Sequence, residues 1–541
     1  MKMKAAQAMV ECLKAENIKV VYGYPGAAIC PFYDALMDAG NDITHVLVRH
    51  EANGGHAANG FARISGRPAV CIATSGPGAT NLITAIATAY ADSIPIVCIT
   101  GQVNTDQIGS DVFQEADITG AAEPFVKHSY LLKDPAELPR VFKEAFYIAG
   151  TGRPGPVLID VPMDVQKAEI DFEYPETADI RSYKPTTKGN YLQIKRVLTA
   201  LKEAERPLIC IGGGIFASHA RKEINELAHI MQIPVITTMM GISAFSDDDP
   251  LFYGMLGMHG VKSANTAVRE CDVLFLVGAR VGDRAVRTPL ALEKTTKILH
   301  IDIDPAEIGK NIGADYPLVG DAKSVLSQML EMAEPMEHRE WLERLDSYKR
   351  LRSFDPAKSG TVNPREFMEK LSGAMPDNTV VVADVGQNQI WTATGYHIKE
   401  GGRFLTSGGM GTMGYSVPAA IGAKMADPSR PVMAICGDGA FQMEFMELAT
   451  AVQHGVNVKI VVMSNNRLGM VRELQTNGYN GRETAVFLDG SPDLIKLADA
   501  YGIPAVRVTD EASMNEAIKL LSETDGLFLA EVRVDENAAT L

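Results

Sequence analysis

Residues 431–466 read PVMAICGDGAFQMEFMELATAVQHGVNVKIVVMSNN, and this stretch decides the fold. Two apolar, β-branched runs flank a segment whose apolar residues recur at helical spacing from Phe441 to Val452, and Gly455 ends that segment. A strand, a helix and a second strand in this order predict a β-α-β unit whose two strands are parallel.

Asp438 and Asn466 close the two predicted strands, so both are expected at the edge of the sheet where open α/β sheets bind ligands. A carboxylate and an amide oxygen suit Mg²⁺ or Ca²⁺ rather than zinc, and phosphate oxygens or water usually complete a Mg²⁺ shell. The glycines beside Asp438 let a diphosphate approach the backbone. A GDG turn alone is more often only a turn, but its spacing to the asparagine pair at 465–466 favours a metal site.

Similar apolar runs alternate with helical patterns along the whole chain, as in THVLVRH, AVCIATSG, RPLICIGGG, DVLFLVGA and TVVVADVG. Strands that are apolar throughout predict parallel sheets covered by helices on both faces, which is the α/β fold class. Polar or charged stretches at 171–190 and 334–364 indicate linkers. We therefore expect three open, mostly parallel α/β domains at 1–170, 190–335 and 360–541.

Composition narrows the class of protein. The chain has 541 residues, a formal net charge of −16 and a pI near 5.2, which argues against nucleic acid or an anionic membrane as a partner. Seven scattered cysteines without a CxxC pattern argue against a disulfide framework or a structural zinc site. The sequence has neither a signal-peptide pattern nor an apolar run of about 18 residues, so we expect a cytoplasmic protein without a membrane span.

Two further motifs precede this stretch. Glu51 follows the run THVLVRH and precedes a helical pattern, but the spacing HExxxxH does not form the HExxH zinc site of metalloproteases. In the second segment, RPLICIGGGIFAS is a strand followed by GxGxxA, with glycines at Gly212 and Gly214. That motif fits dinucleotide binding and close helix–strand packing about equally well.

The chain resembles the large subunits of acetolactate (acetohydroxyacid) synthases, a family of thiamine diphosphate (ThDP) enzymes, along nearly its whole length. The resemblance is carried by YGYPGAA, VRHE, GFARISGRPAVCIATSGPGATNLITAIATAYADSIPIVCITGQV, FQE, KHSYLL, GRPGPVLIDVP, LGMHG, HIDIDPAEIGKN, SGGMGTMGYSVPAAIGAK and LGMVRELQ. It implies a pyrimidine-binding first domain, a central domain of FAD-binding type, and a third domain that binds diphosphate and Mg²⁺.

The resemblance implies roles for individual residues toward ThDP. Glu51 would be the catalytic glutamate that activates the cofactor through its pyrimidine ring. Gly411 would accept the 4′-amino hydrogen, and Met413 would hold the bent shape of the cofactor. The implied metal ligands are Asp438, Asn466 and the backbone carbonyl of Leu468. The other implied ThDP contacts are Pro25, Pro77, Asn81, Gly386, Gln387, Asn388, Gly437, Gly439, Ala440, Gly469 and Met470.

FAD is the second cofactor that the resemblance implies, without a role in redox turnover. The positions implied to border FAD are Arg153, Gly212, Gly213, Gly214, Gly257, Met258, His259, Gly278, Arg280, Asp302, Ile303 and Asp321.

Some positions depart from the family's pattern, chiefly at the substrate end. Met163 replaces a lysine of the family, and Leu474 replaces a tryptophan linked to the choice of 2-ketobutyrate as second substrate. Asn388 replaces a histidine at the diphosphate. The implied substrate pocket consists of Phe113, Gln114, Met163 and Leu474.

The expected function is a carboligase that decarboxylates pyruvate and transfers the acetaldehyde unit to a second small 2-keto acid. The product would be 2-acetolactate, as in branched-chain amino acid biosynthesis. Another ThDP-dependent 2-keto-acid decarboxylase or a pyruvate-oxidase-like enzyme is the alternative, and a non-catalytic ThDP-binding protein is the third. The family also implies a homodimer or a dimer of dimers with active sites between subunits, and allows a small regulatory subunit.

Overall fold

Three domains, each built on a six-stranded parallel sheet with helices on both faces, make up the chain. The computed structural model describes residues 1–286, 288–349, 354 and 356–541. The predicted α/β class is confirmed, because the central strands of each sheet are buried along their whole length. No helix within the described ranges is long and apolar enough to cross a membrane.

The N-terminal domain carries the first sheet and a small two-stranded ribbon of β1 and β8. Its strands are β1 (Lys2–Lys4), β2 (Val20–Gly23), β3 (Thr44–Leu47), β4 (Ala69–Ala73), β5 (Ile96–Gln102), β6 (His128–Leu131), β7 (Val157–Pro162) and β8 (Glu169–Asp171). Its helices are α1 (Ala5–Ala15), α2 (Cys30–Met37), α3 (Glu51–Ser65), α4 (Pro77–Asn81), α5 (Ile83–Asp92), α6 (Ile118–Ala122), α7 (Leu138–Gly150) and α8 (Met163–Lys167).

The central domain carries the second sheet. Its strands are β9 (Pro207–Ile211), β10 (Val235–Thr237), β11 (Phe252–Met255), β12 (Val273–Val277), β13 (Lys297–Asp302) and β14 (Tyr316–Val319). Its helices are α9 (Tyr191–Glu203), α10 (Gly214–Ala217), α11 (Arg221–Met231), α12 (Lys262–Glu270), α13 (Pro289–Leu292), α14 (Ala322–Leu330) and α15 (Arg339–Asp346).

The C-terminal domain carries the third sheet. Its strands are β15 (Val380–Ala383), β16 (Arg403–Thr406), β17 (Val432–Gly437), β18 (Lys459–Ser464), β19 (Ala505–Val508) and β20 (Phe528–Arg533). Its helices are α16 (Pro364–Ala374), α17 (Gln387–Gly395), α18 (Ser416–Ala426), α19 (Asp438–Glu444), α20 (Leu448–Gln453), α21 (Gly469–Gly478), α22 (Leu494–Ala500) and α23 (Glu511–Glu523).

Strand order locates the ligand crevice of each domain. The first sheet is ordered β3-β2-β4-β5-β7-β6 and the third β16-β15-β17-β18-β20-β19, so both follow the same winding. The central sheet is ordered β11-β10-β9-β12-β13-β14, which is the strand order of dinucleotide-binding folds. The winding reverses between β2 and β4, between β9 and β12, and between β15 and β17. Ligands bind such sheets at the carboxyl ends of those strands.

The N-terminal and C-terminal domains pack on each other through helices α3 and α18. A Cβ atom on Gly60 would lie 2.0 Å from the carbonyl oxygen of Ala419, and one on Gly422 would lie 1.8 Å from that of Ala57. These glycines therefore allow the two helix backbones to touch. The backbone N–H of Arg49 also donates to Glu447 across this interface, at 2.9 Å.

The helix predicted from Phe441 to Val452 is interrupted. It consists of α19, a 3₁₀ turn at Phe445–Glu447 and α20, and Val452 is 50% exposed. Two carboxylates take buried positions on these elements instead. Glu444 accepts hydrogen bonds from the start of α18, and Glu447 accepts them from the N-terminal domain. The prediction of one continuous apolar face was wrong, because the spacing of apolar residues gives no sign of carboxylates that are buried as hydrogen-bond acceptors.

Candidate active site

The reversal point between β15 and β17 gathers the glycine turns of the C-terminal domain. Gly386 follows β15 with a φ of +131°, and Gly437 ends β17. A Cβ atom on either glycine would lie 3.3–3.4 Å from Nδ2 of Asn388, so this amide faces the gap that the glycines leave. Nδ2 makes one long hydrogen bond, of 3.5 Å, to the carbonyl of Val385. A donor therefore points into a glycine-lined space, which fits a phosphate oxygen.

Asp438 begins α19 at the next strand end, where backbone N–H groups hold its carboxylate. Oδ1 accepts from Gly439 at 2.9 Å, and Oδ2 accepts from Asn466 at 2.6 Å and Asn465 at 3.1 Å. Burial raises the pKa of Asp438 to about 6, against the lowering effect of these N–H groups. The left-handed backbone of Asn466, with a φ of +56°, turns the chain over Asp438. The structure therefore brings the two predicted strand-end residues together.

The donors at this turn suit a magnesium ion. A carboxylate, an amide side chain and a backbone carbonyl are hard oxygen ligands, and Mg²⁺ keeps further positions for phosphate and water. The carbonyl of Leu468 accepts the first hydrogen bond of α21, from Arg472 at 2.9 Å. A carbonyl has a second lone pair, so this bond leaves Leu468 able to bind a cation.

Gly439 lies between the turn at Asp438 and two other predicted contacts. A Cβ atom there would lie 2.8 Å from Cδ2 of Leu468 and 3.5 Å from Cε of Met413. Met413 lies two residues after Gly411, which has a φ of +69°; apart from its chain neighbours, no atom of the described residues lies within 4 Å of its Cβ position. The turn at 411–413 therefore borders open space beside Asp438, as a cofactor-facing turn would.

The side chain of Gln387 does not face that space. Its Nε2 donates to the carbonyl of Ala538 at 2.8 Å, and its Oε1 accepts from Nδ2 of Asn465 at 3.2 Å. A Cβ atom on Gly469 would lie 1.9 Å from this Oε1. Gly469 is thus small because Gln387 occupies the adjacent volume, and only the backbone of Gln387 remains available to a diphosphate.

Two buried carboxylates hold the turn at 411–416 in place, and neither was identified from the sequence. Asp384 accepts the backbone N–H groups of Gly414, Tyr415 and Ser416 at 2.8–3.1 Å. Glu444 accepts the hydroxyl of Ser416 and the N–H of Val417 at 2.9 and 3.0 Å. Burial raises the pKa of both carboxyl groups, and the charge of Asp384 further raises the pKa of Glu444. Asp384 closes the apolar run TVVVAD, as Asp438 closes its own predicted strand. The same reasoning about the ends of parallel strands would therefore have identified Asp384.

The N-terminal domain holds a second constellation around Glu51. This residue begins α3, and its Oε2 accepts a hydrogen bond from Nδ2 of Asn81 at 2.9 Å. A Cβ atom on Gly78 would lie 3.3 Å from Oε1 of Glu51, so the start of α4 lies against the carboxylate. Pro25 and Pro77 follow β2 and β4, the two strands at the reversal point. Predicted contacts that are far apart in sequence thus meet at one sheet edge.

The two constellations remain separate within one chain. The hydrogen bonds of Glu51 stay in the N-terminal domain and those of Asp438 stay in the C-terminal domain. Among the described residues, no hydrogen bond or ion pair joins the two sets. Each chain therefore presents two half-sites.

The predicted substrate residues Phe113 and Gln114 lie on the loop at 103–117. Phe113 is 86% exposed, and Gln114 has a left-handed backbone with a φ of +60° that presses against Gly76. The carboxylate of Glu115 accepts hydrogen bonds from the N–H groups of Gly109 and Val112, which holds the two sides of the loop together.

Both ends of this loop are fixed by carboxylates near Met163. Asp164 accepts the N–H and the hydroxyl of Thr105 at 3.0 and 2.5 Å. At the other end, Nε2 of Gln102 bridges Oδ2 of Asp160 and the carbonyl of Ala116, at 2.9 and 2.8 Å. Burial raises the pKa of Asp160 to about 7. Leu474, the fourth predicted pocket residue, lies instead on α21 of the C-terminal domain and is 61% exposed.

The predicted FAD positions of the central domain collect at the carboxyl ends of its strands. They lie at the end of or just after β9 (Gly212, Gly213 and Gly214), β11 (Gly257, Met258 and His259), β12 (Gly278 and Arg280), β13 (Asp302 and Ile303) and β14 (Asp321). Cβ atoms on Gly212 and Gly214 would lie 2.2 and 2.8 Å from the backbone of Gly278, so close packing accounts for these two glycines. Oγ1 of Thr237, at the end of β10, is buried and lacks a hydrogen-bond partner in the described chain. A ligand at this edge would satisfy Thr237, so a dinucleotide fits here.

Several FAD candidates have partners within the protein. Arg153 forms ion pairs with Asp304 at 3.2 Å and Glu307 at 2.6 Å. Arg280 donates to the carbonyl of Ala91 at 2.6 Å, which ties the central domain to α5. Burial raises the pKa of Asp302 to about 6. Arg153 would bind an anion only by sharing its guanidinium with the two carboxylates.

Each domain matches a known domain family. Residues 3–121 match the N-terminal TPP binding domain of thiamine pyrophosphate enzymes, residues 194–329 their central domain, and residues 384–532 their C-terminal TPP binding domain. The chain therefore belongs to the thiamine pyrophosphate enzymes and is a ThDP-dependent enzyme.

Full-length relatives narrow the family. A probable acetolactate synthase large subunit of Methanocaldococcus jannaschii is 47% identical over 98% of this chain and 92% of its own length. The acetolactate synthase large subunits of Buchnera aphidicola and Corynebacterium glutamicum are 41% and 42% identical, over 99% and 96% of this chain and 95% and 85% of their own lengths. Within the ThDP enzymes, the chain belongs to the acetolactate synthase large-subunit family.

Proposed function

We propose that this chain is the catalytic subunit of an acetolactate synthase that uses ThDP and Mg²⁺. It would decarboxylate pyruvate and join the remaining two-carbon unit to a second 2-keto acid, which gives 2-acetolactate when that acid is pyruvate. The observation that carries the proposal is the pair of half-sites, with Glu51 and Asn81 on one domain and Asp438 and Asn466 on another. Non-catalytic ThDP binding would not need the carboxyl group of Glu51.

The C-terminal half-site would anchor the diphosphate. Asp438, Asn466 and the Leu468 carbonyl would hold Mg²⁺, and the N–H₂ group of Asn388 would donate to a phosphate oxygen across Gly386 and Gly437. The backbone N–H groups already bonded to Asp438 fix its orientation before the metal arrives, so little ordering is needed on binding.

The N-terminal half-site would place a proton-holding carboxyl group beside the pyrimidine ring of ThDP. When bound, ThDP supplies the carbon nucleophile and the electron sink that let a 2-keto acid lose CO₂. The carboxyl group of Glu51 would hold a proton against the pyrimidine ring, and Asn81 keeps that carboxyl in position at 2.9 Å. Pro25 and Pro77 would exclude water from the ring.

We infer that two chains complete each site, because the half-sites do not meet within one chain. A homodimer, or a dimer of two such dimers, would set Glu51 of one subunit opposite Asp438 of the other. The relatives described as large subunits further support a small regulatory subunit as a partner.

We also propose that the central domain binds FAD as a structural cofactor. Support comes from its dinucleotide-type strand order and from the unsatisfied hydroxyl of Thr237 at the ligand edge. The exposed Met258 would contact the flavin side of that edge.

Two substitutions, one in each half-site, test the two half-sites separately. Glu51→Gln should retain Mg²⁺-dependent ThDP binding but slow turnover by about 100-fold or more, because only the proton-holding group changes. Asp438→Ala should lose the metal-dependent binding itself. Dimers assembled from one chain of each variant should regain about half of one wild-type dimer's activity, since one of the two sites is then intact. Mixed dimers as inactive as the parent variants would refute the assignment of half-sites to different subunits.

A further inference from the structure

Three arginines lie where the central and C-terminal domains meet, and we call Arg221, Arg403 and Arg430 the arginine corner. Arg403 begins β16, and its Cζ lies 3.1 Å from the ring centroid of Phe216, just before α11. Arg221 is the first residue of α11. Arg430 donates to the carbonyl of Gly401 at 2.7 Å, in the turn that leads into β16.

The N-terminal domain reaches the same corner. A Cβ atom on Gly66, at the end of α3, would lie 2.4 Å from the ring of His219, which stands between Phe216 and Arg221. Arg63 on α3 is near as well, but it is neutralised by Asp92 at 2.6 Å. All three domains therefore border the corner.

The corner carries positive charge, and no carboxylate of the described residues is in contact with it. Among the described residues, no carboxylate oxygen lies within 4.0 Å of the guanidinium groups of Arg221, Arg403 or Arg430. The side chain of Arg403 has one long hydrogen bond, of 3.5 Å, to Oγ of Ser243. Arg430 bonds to backbone carbonyls, which leave its charge in place.

Burial makes this arrangement costly. All three side chains are half-buried, and burial together with the charges of Arg221, Arg63 and Arg430 lowers the pKa of Arg403. Two carboxylates act from a longer range, Glu400 on Arg221 and Asp427 on Arg430, but two such charges do not balance three. Charges taken out of water are normally paired, and this protein has an excess of carboxylates to pair them with.

We propose that the arginine corner binds a small phosphate-type oxyanion, at a site separate from the cofactor sites. Guanidinium groups offer forked N–H donors that match a tetrahedral oxyanion, and the first turn of the eleven-residue helix α11 adds free backbone N–H groups. Arg403 covers the face of Phe216, so the ring is not free to stack on an organic group. A bound anion would tie the central domain to the C-terminal domain, because both supply its ligands.

The test is a thermal shift of the enzyme saturated with ThDP, Mg²⁺ and FAD, so that its other phosphate sites are filled. Inorganic phosphate at about 10 mM should raise the wild-type Tm by about 2–4 °C over chloride at equal ionic strength. Arg403→Gln and Arg221→Gln should abolish this rise. The control Arg196→Gln, on the exposed face of α9, should keep it.

Removing charge also gives a second readout. In chloride alone, Arg221→Gln should melt no lower than wild type, because a repulsive charge is lost and its side chain makes no hydrogen bond in the described chain. Arg221→Gln keeps the test valid if Arg403→Gln, which removes the guanidinium from the ring of Phe216, prevents folding. A rise with glycerol phosphate as well would assign phosphate monoesters to the site, and a rise with inorganic phosphate alone would assign the free ion. No phosphate-specific rise in wild type, or an equal rise in Arg221→Gln, would overturn the proposal.

Discussion

The buried carboxyl group of Asp160 predicts a measurable pH dependence of stability. It sits at the base of the loop that carries Phe113 and accepts hydrogen bonds from Thr100 at 2.7 Å and Gln102 at 2.9 Å. Burial raises its pKa from 3.8 to about 7, and the charge of Asp117 adds to this shift. Between these two values the unfolded chain releases a proton that the folded chain keeps. The contribution of Asp160 to stability is therefore complete below pH 4 and is lost as the pH rises to 7.

The magnitude follows from the shift. Between the two pKa values the contribution of Asp160 to the unfolding free energy falls by about 1.4 kcal/mol per pH unit, or by about 3 kcal/mol from pH 5 to pH 8. Asp160→Asn has no such proton, so its unfolding free energy should gain about 3 kcal/mol on wild type between pH 5 and pH 8, whatever the constant cost of the amide. Urea unfolding at four pH values measures this difference, and exposed Asp38→Asn should show none. A difference that stays flat over this range would mean that Asp160 is ionised throughout and would refute the reasoning.

Two further substitutions test how the site is positioned. Glu115→Gln should raise the KM for the second 2-keto acid several-fold and leave ThDP affinity unchanged, because it loosens the loop that carries Phe113 without touching Glu51. Glu123→Gln, at an exposed position, is the control. A weakened ThDP affinity in Glu115→Gln would contradict this separation of the loop from the cofactor site. Gly422→Ala should lower the unfolding free energy by about 1–3 kcal/mol, because its Cβ would overlap the carbonyl of Ala57. Gly373→Ala, on α16 with open space around it, should be neutral or stabilising, and equal effects of the two would contradict close packing of α3 on α18.

Strand-end chemistry was predictable from the sequence. Apolar runs gave the parallel strands, and Asp438 and Asn466 follow from the rule that such strands end at one edge. The same rule applied to TVVVAD would have revealed Asp384, whose carboxylate positions the 414–416 turn. The class of fold and the position of Asp438 and Asn466 thus depend on local patterns.

The parts that depend on contacts between distant segments were not predictable. Glu444 and Glu447 interrupt an apolar face because the N–H groups that donate to them lie on α18 and in the N-terminal domain, which no helical period encodes. Likewise, Gln387 falls within a diphosphate-type motif, yet its side chain bonds to Ala538 and Asn465. The boundaries 1–170, 190–335 and 360–541 remain a prediction.

The identity of the product tests the central claim most directly. The purified chain should be incubated with ThDP, Mg²⁺, FAD and pyruvate, while CO₂, 2-acetolactate and the flavin spectrum are followed together. Carboligation predicts one CO₂ and one 2-acetolactate for every two pyruvate molecules consumed, with the flavin remaining oxidised. CO₂ release without 2-acetolactate, or bleaching of the flavin at the rate of turnover, would contradict the account and point to a decarboxylase or an oxidase.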